Sequence, residues 1–303
     1  MASARAGTAL PALALVLNAF VWGISWWPFR QLQDDGLHPL VATALVYLLS
    51  VLLLLAFRPR AWRTFAGQPL LWLLAAAAGM TNVGFNWAVT VGDVVRVVLL
   101  FYLMPAWTVV LAWPMLGEKP TLLSLLRVAL AMTGVAIVLQ TGDSPWPVPE
   151  SLADGLALAG GVSFALTNIL LRKLQRLDAA PRVLAMFTGG AAMAGAVALL
   201  GLALGFVAPP PLPRTTWALG LALSLGFLAS NVALQYGAAR LNAHTTALVM
   251  LSEVIFASAS SVALGAADLT PRTWIGGALI VSAAAWSAWP RREARTPAPA
   301  GAE

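Results

Sequence analysis

The sequence predicts an all-α polytopic membrane protein with ten transmembrane helices, arranged as two inverted five-helix repeats. The composition, a series of apolar segments and a pair of matching polar segments lead to this prediction. Of the 303 residues, 60% are hydrophobic and only 10% are charged, against about 25% charged in ordinary soluble domains. Because a soluble protein of this composition would expose large apolar patches, we expect the apolar surface to face lipid.

Ten segments are long and apolar enough for a helix that crosses a bilayer, which needs about 20 such residues. They cover residues 9–29, 38–57, 69–91, 94–116, 121–140, 151–171, 182–207, 215–238, 243–264 and 271–289. Several begin near a proline, which suits the first helical turn because no N–H partner is needed there. Pro105 differs, because it lies deep in the fourth span and is expected to break the hydrogen-bond ladder. It is therefore a gating candidate, with a static kink as the alternative.

The distribution of charge predicts the orientation in the membrane. With both termini in the cytoplasm, all but four of the 18 Lys and Arg residues fall on the inner side, as the positive-inside rule requires. The exceptions are Arg30, Arg96, Arg214 and Arg272. Since the basic residues lie between apolar segments, they indicate a membrane partner and no nucleic acid. Residues 290–303 are basic and then rich in Pro and Ala, which predicts a disordered cytoplasmic tail.

Two polar segments match each other in the two halves of the chain. Residues 81–87 read TNVGFNW and residues 230–236 read SNVALQY, and a looser match pairs residues 22–30 with 164–172. The predicted repeats therefore cover 9–140 and 151–289. Since each contains five spans, the two halves enter the membrane in opposite orientations, which is typical of secondary transporters with a central site between the repeats. Chance similarity among apolar helices is the alternative.

The matching segments place amides inside predicted spans, where an unpaired polar group is costly. Asn82 and Asn86 are four residues apart and share one helix face, as do Asn231 and Gln235. We expect all four to face a central cavity and to bind a polar substrate. Hydrogen bonding between helices is the alternative.

Glu253 is the only acidic residue near the middle of a predicted span. An ionisable residue at this depth often marks a proton or substrate pathway. Glu253 is therefore the candidate for coupling transport to a proton, and a structural, hydrogen-bonded glutamate is the alternative.

Aromatic residues inside the spans predict an apolar pocket for a flat side chain. Trp22, Tyr47, Tyr102 and Trp107 are the candidates, with packing or lipid contact as the alternative for each. Asn18, Trp22 and Trp26 are spaced four residues apart along one face of the first span. Asn168 occupies a similar region of the sixth span and is added to the substrate-binding candidates.

Small residues and charges at span ends predict further contacts. Residues 75–79 and 189–190, rich in Ala and Gly, favour close helix packing. Arg96 follows Asp93 by three residues, so we expect a local ion pair between them, with attraction of a substrate carboxylate as the alternative.

The sequence argues against an enzyme. The chain has no cysteine and only two histidines, and it contains neither a zinc-protease motif nor a glycine-rich phosphate loop. No catalytic residue, metal site or cofactor is therefore predicted. A channel is also disfavoured, because no repeated filter or ring of charges is present.

Several motifs resemble those of a known transporter family. Trp22-Gly23 in the first span, Gly117-Glu118 at the end of the fourth and Gly134 in the fifth resemble the drug/metabolite transporter superfamily, EamA type, over residues 9 to about 290. The chain looks most like the YddG-type aromatic amino acid exporters of bacterial inner membranes. One departure is that the second repeat has Gly265-Ala-Ala-Asp268 in place of a second Gly-Glu.

The resemblance implies a secondary transporter that exports amino acids, aromatic ones in particular, across the bacterial inner membrane by alternating access. Its partners would be the small-molecule substrate and membrane lipid, and a monomer is expected to suffice for transport. A multidrug, organic-cation or other metabolite carrier of the same fold is the alternative. A phosphorylated ligand is disfavoured because deep Arg and Lys residues are missing.

Overall fold

The computed structural model describes residues 2–140, 148–211, 214–238, 240–241, 246, 249–267 and 269–288. Every regular element in these ranges is an α-helix, as predicted. The helices are α1 (Ala2–Ile24), α2 (Trp26–Asp34), α3 (Pro39–Phe57), α4 (Ala61–Gly67), α5 (Pro69–Val91), α6 (Val94–Phe101), α7 (Met104–Leu116), α8 (Leu122–Leu139), α9 (Leu152–Lys173), α10 (Ala179–Leu204), α11 (Arg214–Ala238), α12 (Ser252–Ala263) and α13 (Pro271–Ala288). The predicted disordered tail, 290–303, lies outside the described residues.

By length and apolarity, seven helical segments among the described residues can cross a membrane. They are Ala9–Asp34, Pro39–Phe57, Val94–Leu116, Leu122–Leu139, Leu152–Lys173, Ala179–Leu204 and Thr216–Ala238. The other predicted spans correspond to α5, which carries Asn82 and Asn86, to the stretch that ends in the 12-residue helix α12, and to α13, which carries Arg272. The protein is therefore a multi-pass membrane protein, and the count of ten spans stays a prediction.

Several predicted spans are interrupted. The first divides at Ser25 into α1 and α2, and the fourth divides next to Tyr102 into α6 and α7. Pro105 is the second residue of α7, so its ring excludes the carbonyl four residues earlier from the ladder, as predicted. In the ninth span, Leu251 forms a turn directly before α12. The fourth and ninth spans, which correspond in the two repeats, are thus both broken, and the Tyr102 hydroxyl beside one break lies 3.2 Å from the carbonyl oxygen of Met250 beside the other.

The short helix α4 lies between the second and third predicted spans, in a stretch that the sequence analysis leaves without a helix. Phe65 is fully buried there. Its ring centre lies 5.4 Å from that of Trp62 and 4.5 Å from that of Trp72. Aromatic packing therefore holds this connection against the start of α5.

Helix packing follows the repeat. In one group α9 packs against α5, α6 and α7, and in the other α1 packs against α11 and α12. Exchanging the repeats converts each group into the other, because α9 corresponds to α1, α5 to α11, and α6–α7 to α12. We call them the α9 group and the α1 group. Each combines helices of both sequence halves, since the first span of each repeat packs with the other half.

Glycines allow α8 and α13, and likewise α10 and α5, to approach closely. A Cβ on Gly134 of α8 would lie 2.6 Å from the carbonyl oxygen of Gly276 on α13, and the reverse distance is also 2.6 Å. A Cβ on Gly189 of α10 would overlap the backbone of Ala75 on α5. The predicted close packing at residues 75–79 and 189–190 is thus confirmed.

Candidate functional site

A cavity of about 350 Å³ lies between the α9 group and the α1 group. Its described lining comes from α1, α5, the α6–α7 junction, α9, α11 and the start of α12, with single residues of α10 and α13. Both repeats therefore contribute to the walls. The broken regions of the fourth and ninth spans both reach the cavity, through Tyr102 and Pro105 on one side and Leu251 on the other.

The structure brings most of the predicted site residues together at this cavity. The predicted residues that line it are Trp22, Asn82, Tyr102, Pro105, Asn168, Asn231 and Glu253. Those that are not part of the described lining are Tyr47, Asn86, Trp107 and Gln235. The lining therefore holds one amide from each of the two matching segments.

The predicted residues outside the lining have other contacts. The Tyr47 hydroxyl donates to Oδ1 of Asn82 at 2.9 Å, and Nε2 of Gln235 donates to Oδ1 of Asn231 at 2.7 Å. Tyr47 and Gln235 therefore each form a hydrogen bond with an asparagine of the cavity lining, although neither belongs to that lining.

Asn86 and Trp107 have no such contact. Asn86 turns towards α3, where its Nδ2 donates to Oγ1 of Thr43 at 3.4 Å. Trp107 is half-buried against the packed helices, and its Nε1 has no hydrogen-bond partner among the described residues. The expectation that these two side chains face the cavity is therefore not met in this structure.

Aromatic rings form much of the cavity wall. Trp22 stacks on Phe227, with ring centres 4.5 Å apart and an interplanar angle of 16°. Phe101 lies between Phe85 and Phe164, at 4.7 and 5.4 Å between ring centres. The sequence analysis did not select the lining phenylalanines, although Phe85 lies between the paired asparagines and Phe164 matches Trp22 in the repeat alignment.

Glu253 is the only carboxylate in the described lining, which includes no Lys or Arg. Its side chain is buried, and Oε2 accepts a hydrogen bond of 2.9 Å from the Tyr102 hydroxyl. The same hydroxyl lies 3.2 Å from the carbonyl oxygen of Met250. Glu253 also lies in the first turn of α12, where the helix dipole favours negative charge. The Tyr102–Glu253 bond joins the broken fourth and ninth spans.

Asn18 has a buried amide and lines the cavity, but the predicted site set did not include it. Its Nδ2 donates to the carbonyl oxygen of Ser230 at 3.0 Å and to the Ser230 hydroxyl at 2.5 Å. Its Oδ1 has no partner among the described residues. Asn18 belongs to the described lining of the cavity, but its Oδ1 is itself buried.

The end of the molecule that carries the start of α6 and α9 is closed. Here Nε and Nη2 of Arg96 donate to the two carboxylate oxygens of Asp154 on α9, at 2.7 and 2.9 Å, and Nη1 donates to the carbonyl oxygen of Val138 at 2.7 Å. The expected local pair with Asp93 is wrong, because Asp93 caps α6 by accepting from the Arg96 backbone N–H at 2.7 Å. Burial raises the pKa of the Asp93 carboxyl, although this capping bond opposes the shift.

Contacts of α2, which continues the first span beyond α1, also close this end. The guanidinium of Arg30 on α2 donates to the carbonyl oxygen of Val89 at 3.3 Å and to that of Gly92. At the opposite end of α9, Asn168 lines the cavity and is exposed. The cavity therefore opens towards the end of the molecule where α9 ends.

No group of three or more metal-ligating side chains occurs among the residues that the structure describes. The carboxylate of Glu253 and the cavity amides are suited to hydrogen bonding with a small organic molecule.

Comparisons with known proteins agree with this architecture. A family model described as the EamA-like transporter family matches residues 9–140 and 151–289. An uncharacterized transporter of Pseudomonas aeruginosa is 32% identical over 141 residues, which are 44% of this chain and 47% of that protein. The chain thus matches about half the length of this curated relative.

A solved crystal structure is similar over 91% of this chain and 96% of its own, with a TM-score of 0.58 and 19% identity. At this identity the likeness concerns the fold alone. The family match, in contrast, extends over most of the sequence and over both predicted repeats. The chain therefore belongs to the EamA-like transporter family of the drug/metabolite transporter superfamily.

Proposed function

We propose that this transporter exports amino acids, preferentially aromatic ones, across the bacterial inner membrane by alternating access. The observation that carries the proposal is the composition of the cavity, in which aromatic rings surround a few amides and one carboxylate. Apolar pockets with a few placed polar groups are typical of small-molecule sites. Trp22, Phe85 and Phe164 supply surfaces for a flat side chain, and the polar groups supply partners for an amino acid head group.

The proposed movement is a rocking of the α9 group against the α1 group around the cavity. It is supported by the packing, because each group is internally held by close helix contacts while the cavity lies between them. Pro105 is the proposed flex point, since α6 and α7 already meet without a continuous ladder beside it. Glu253 is the proposed coupling residue, because its carboxylate could exchange a proton when the cavity opens to either side.

Several wider expectations remain part of the proposal. The termini are placed in the cytoplasm by the positive-inside rule. One chain is expected to suffice for transport, because both repeats of a single chain line the cavity. The repeat boundaries, 9–140 and 151–289, and the similarity to YddG-type exporters belong to the same proposal.

A second candidate function is the efflux of organic cations. It is favoured by Glu253 as the only charged side chain of the described lining. A cation would use the carboxylate and the aromatic rings and would have little need of the cavity amides.

A panel of ligands in proteoliposomes tests the proposal. Saturable flux of radiolabelled tryptophan that phenylalanine inhibits and tetraphenylphosphonium does not would support amino acid transport. Flux of tetraphenylphosphonium without flux of tryptophan or other amino acids would contradict it and favour the second candidate.

A further inference from the structure

We infer that Tyr47 and Gln235 are positioning residues that turn the two cavity asparagines so that the site selects ligands with a carboxylate. This inference rests on the proposed function, since it concerns how the same cavity distinguishes amino acids from the corresponding amines. It assigns to the two residues a role in specificity although neither belongs to the described lining.

In the first repeat, Tyr47 of α3 fixes the amide of Asn82. Tyr47 is buried, with its ring centre 5.4 Å from that of Phe187 and 5.7 Å from that of Phe227. Because the ring is held by this packing, its hydroxyl reaches Oδ1 of Asn82 at 2.9 Å. The amide oxygen thereby accepts a hydrogen bond from outside the cavity lining, and no described residue accepts from the Nδ2 group.

In the second repeat, Gln235 has the same effect on Asn231. Its Nε2 donates to Oδ1 of Asn231 at 2.7 Å, one helical turn away. The residue that matches Gln235 in the first repeat is Asn86, which is one methylene shorter and bonds Thr43 instead. The two repeats therefore use different residues for the same arrangement. In each, the Oδ1 atom of the cavity asparagine accepts a hydrogen bond, and no described residue accepts from its Nδ2 group.

This orientation leaves the Nδ2 groups of Asn82 and Asn231 as hydrogen-bond donors for a ligand in the cavity. Because a hydrogen bond to its oxygen fixes the rotation of the amide, the two N–H donors on the other side of the group are left for a ligand. Two such amides, on α5 and α11, would bind the oxygens of a carboxylate. The carboxylate of Glu253, an acceptor in the described lining, suits an ammonium group. Donors and acceptors together match an α-amino acid zwitterion.

A pair of ligands with the same ring isolates the contribution of the carboxylate. L-Tryptophan and tryptamine share the indole and the amine, and only tryptophan has the carboxylate. Wild-type protein in detergent is expected to bind tryptophan at least about tenfold more tightly than tryptamine, since hydrogen bonds to a charged group are worth about that factor or more. Equilibrium binding of the two radiolabelled ligands measures this preference without requiring transport.

The test variants are Tyr47→Phe and Gln235→Leu. Tyr47→Phe keeps the packed ring and removes only the hydroxyl, and Gln235→Leu removes a donor from a half-buried position. In either variant the freed amide can turn its oxygen to the cavity, so the preference for tryptophan is expected to fall several-fold while the affinity for tryptamine stays constant. A role limited to folding would weaken the binding of both ligands equally. The matched controls are Tyr236→Phe and the exposed Gln175→Leu.

Each outcome has a defined meaning. Loss of the preference in both test variants, with the controls like wild type, supports the inference. A wild-type preference that survives both substitutions overturns it and leaves the proposed function intact. Equal binding of the two ligands by the wild type also overturns it, because the carboxylate is then not recognised. Binding of neither ligand by a folded wild-type protein contradicts the proposed function and the inference together.

Discussion

Two asparagines of the cavity lining are each hydrogen-bonded by a residue that lies outside the lining. Asn82 and Asn231 line the cavity, while Tyr47 and Gln235 hold their amide oxygens. Because buried polar groups are costly when unpaired, these second residues are expected to stabilise the site as well as orient it.

Replacing Asn82 by Asp tests the polarity of the amide directly. The carboxylate of Asp offers only acceptors, so it would repel the carboxylate of an amino acid where the amide attracts it. We expect the affinity for tryptophan to fall by at least about tenfold. The affinity for tryptamine should be retained or increased, and an equal loss for both ligands in equilibrium binding would contradict this orientation of the site.

Glu253 is the residue at which proton coupling can be tested. If its carboxylate carries the coupled proton, Glu253→Gln removes the titrating group and keeps the shape of the side chain. Tryptophan flux in proteoliposomes should then lose its pH dependence, whereas the wild type and Glu118→Gln, a change at an exposed glutamate, should keep theirs. Unchanged pH dependence in Glu253→Gln would exclude this residue as the coupling site.

The contacts of individual polar side chains show which site features could be predicted from the sequence and which could not. Asn82 and Asn231 could be predicted because a repeated amide inside an apolar segment is visible as a pattern. The orientation of Asn86 towards Thr43 could not be predicted, because two residues on one helix face can contact different neighbouring helices. Likewise, the pairing of Arg96 with Asp154 depends on the packing of α6 against α9, which local spacing does not reveal.

At the scale of helices, interrupted segments lie beside the cavity. The sequence predicted the break at Pro105, since proline has a fixed effect on the ladder. It did not predict the turn at Leu251, which has no proline or glycine next to it. The bond between Tyr102 and Glu253 connects the two broken regions, so a change in one is expected to affect the other.

Pro105→Ala tests the proposed flex point. Alanine allows a continuous ladder between α6 and α7 and would stiffen the fourth span. We expect the maximal rate of tryptophan flux to fall by roughly tenfold, an increase of about 1.4 kcal/mol in the barrier, with little change in binding affinity. Pro114→Ala, in the same helix but outside the described lining, is the control. A normal rate in Pro105→Ala would favour a static kink.

Close approach of α1 to α12 is a second property of the helices that can be tested. A Cβ on Gly23 would lie 2.7 Å from Cβ of Phe256 and 2.9 Å from the carbonyl oxygen of Glu253. Gly23→Ala should therefore destabilise the protein by about 1–3 kcal/mol and lower its melting temperature in detergent. Gly155→Ala is the matched control, since nothing lies within 4 Å of a Cβ there. Equal melting temperatures for the two variants would contradict the packing.

For the whole molecule, the proposed rocking of the two groups predicts which contacts change during transport. Arg96–Asp154 lies within the α9 group and can persist, whereas the bonds from Arg30 to the backbone of Val89 and Gly92 join α2, the continuation of the first span, to the end of α5 in the α9 group. Opening the closed end therefore requires Arg30 to release α5. This division crosses the boundary between the sequence repeats, and it could not be inferred from the repeat alone.

Labelling of a single introduced cysteine tests this division, because the natural chain has no cysteine. Asn168→Cys places a thiol at the cavity mouth, where a maleimide should react readily. Adding Arg30→Ala should favour the state in which the opposite end is open. We expect it to slow the labelling by about tenfold or more, since hydrogen bonds of a charged group are worth about 1.5–3 kcal/mol. Arg272→Ala, at an exposed site on α13, is the control. Labelling that Arg30→Ala leaves unchanged would contradict the proposed closure.

The central claim is that an amino acid binds in the cavity between the repeats, and tryptophan flux into proteoliposomes tests it most directly. The wild type, the Asn82→Ala, Asn231→Ala double variant and the surface control Gln175→Ala are compared, with equal melting temperatures required of all three. We predict saturable flux for the wild type and the control, and a loss of at least about tenfold for the double variant. Wild-type flux in a folded double variant would contradict the claim, because the substrate would then bind elsewhere.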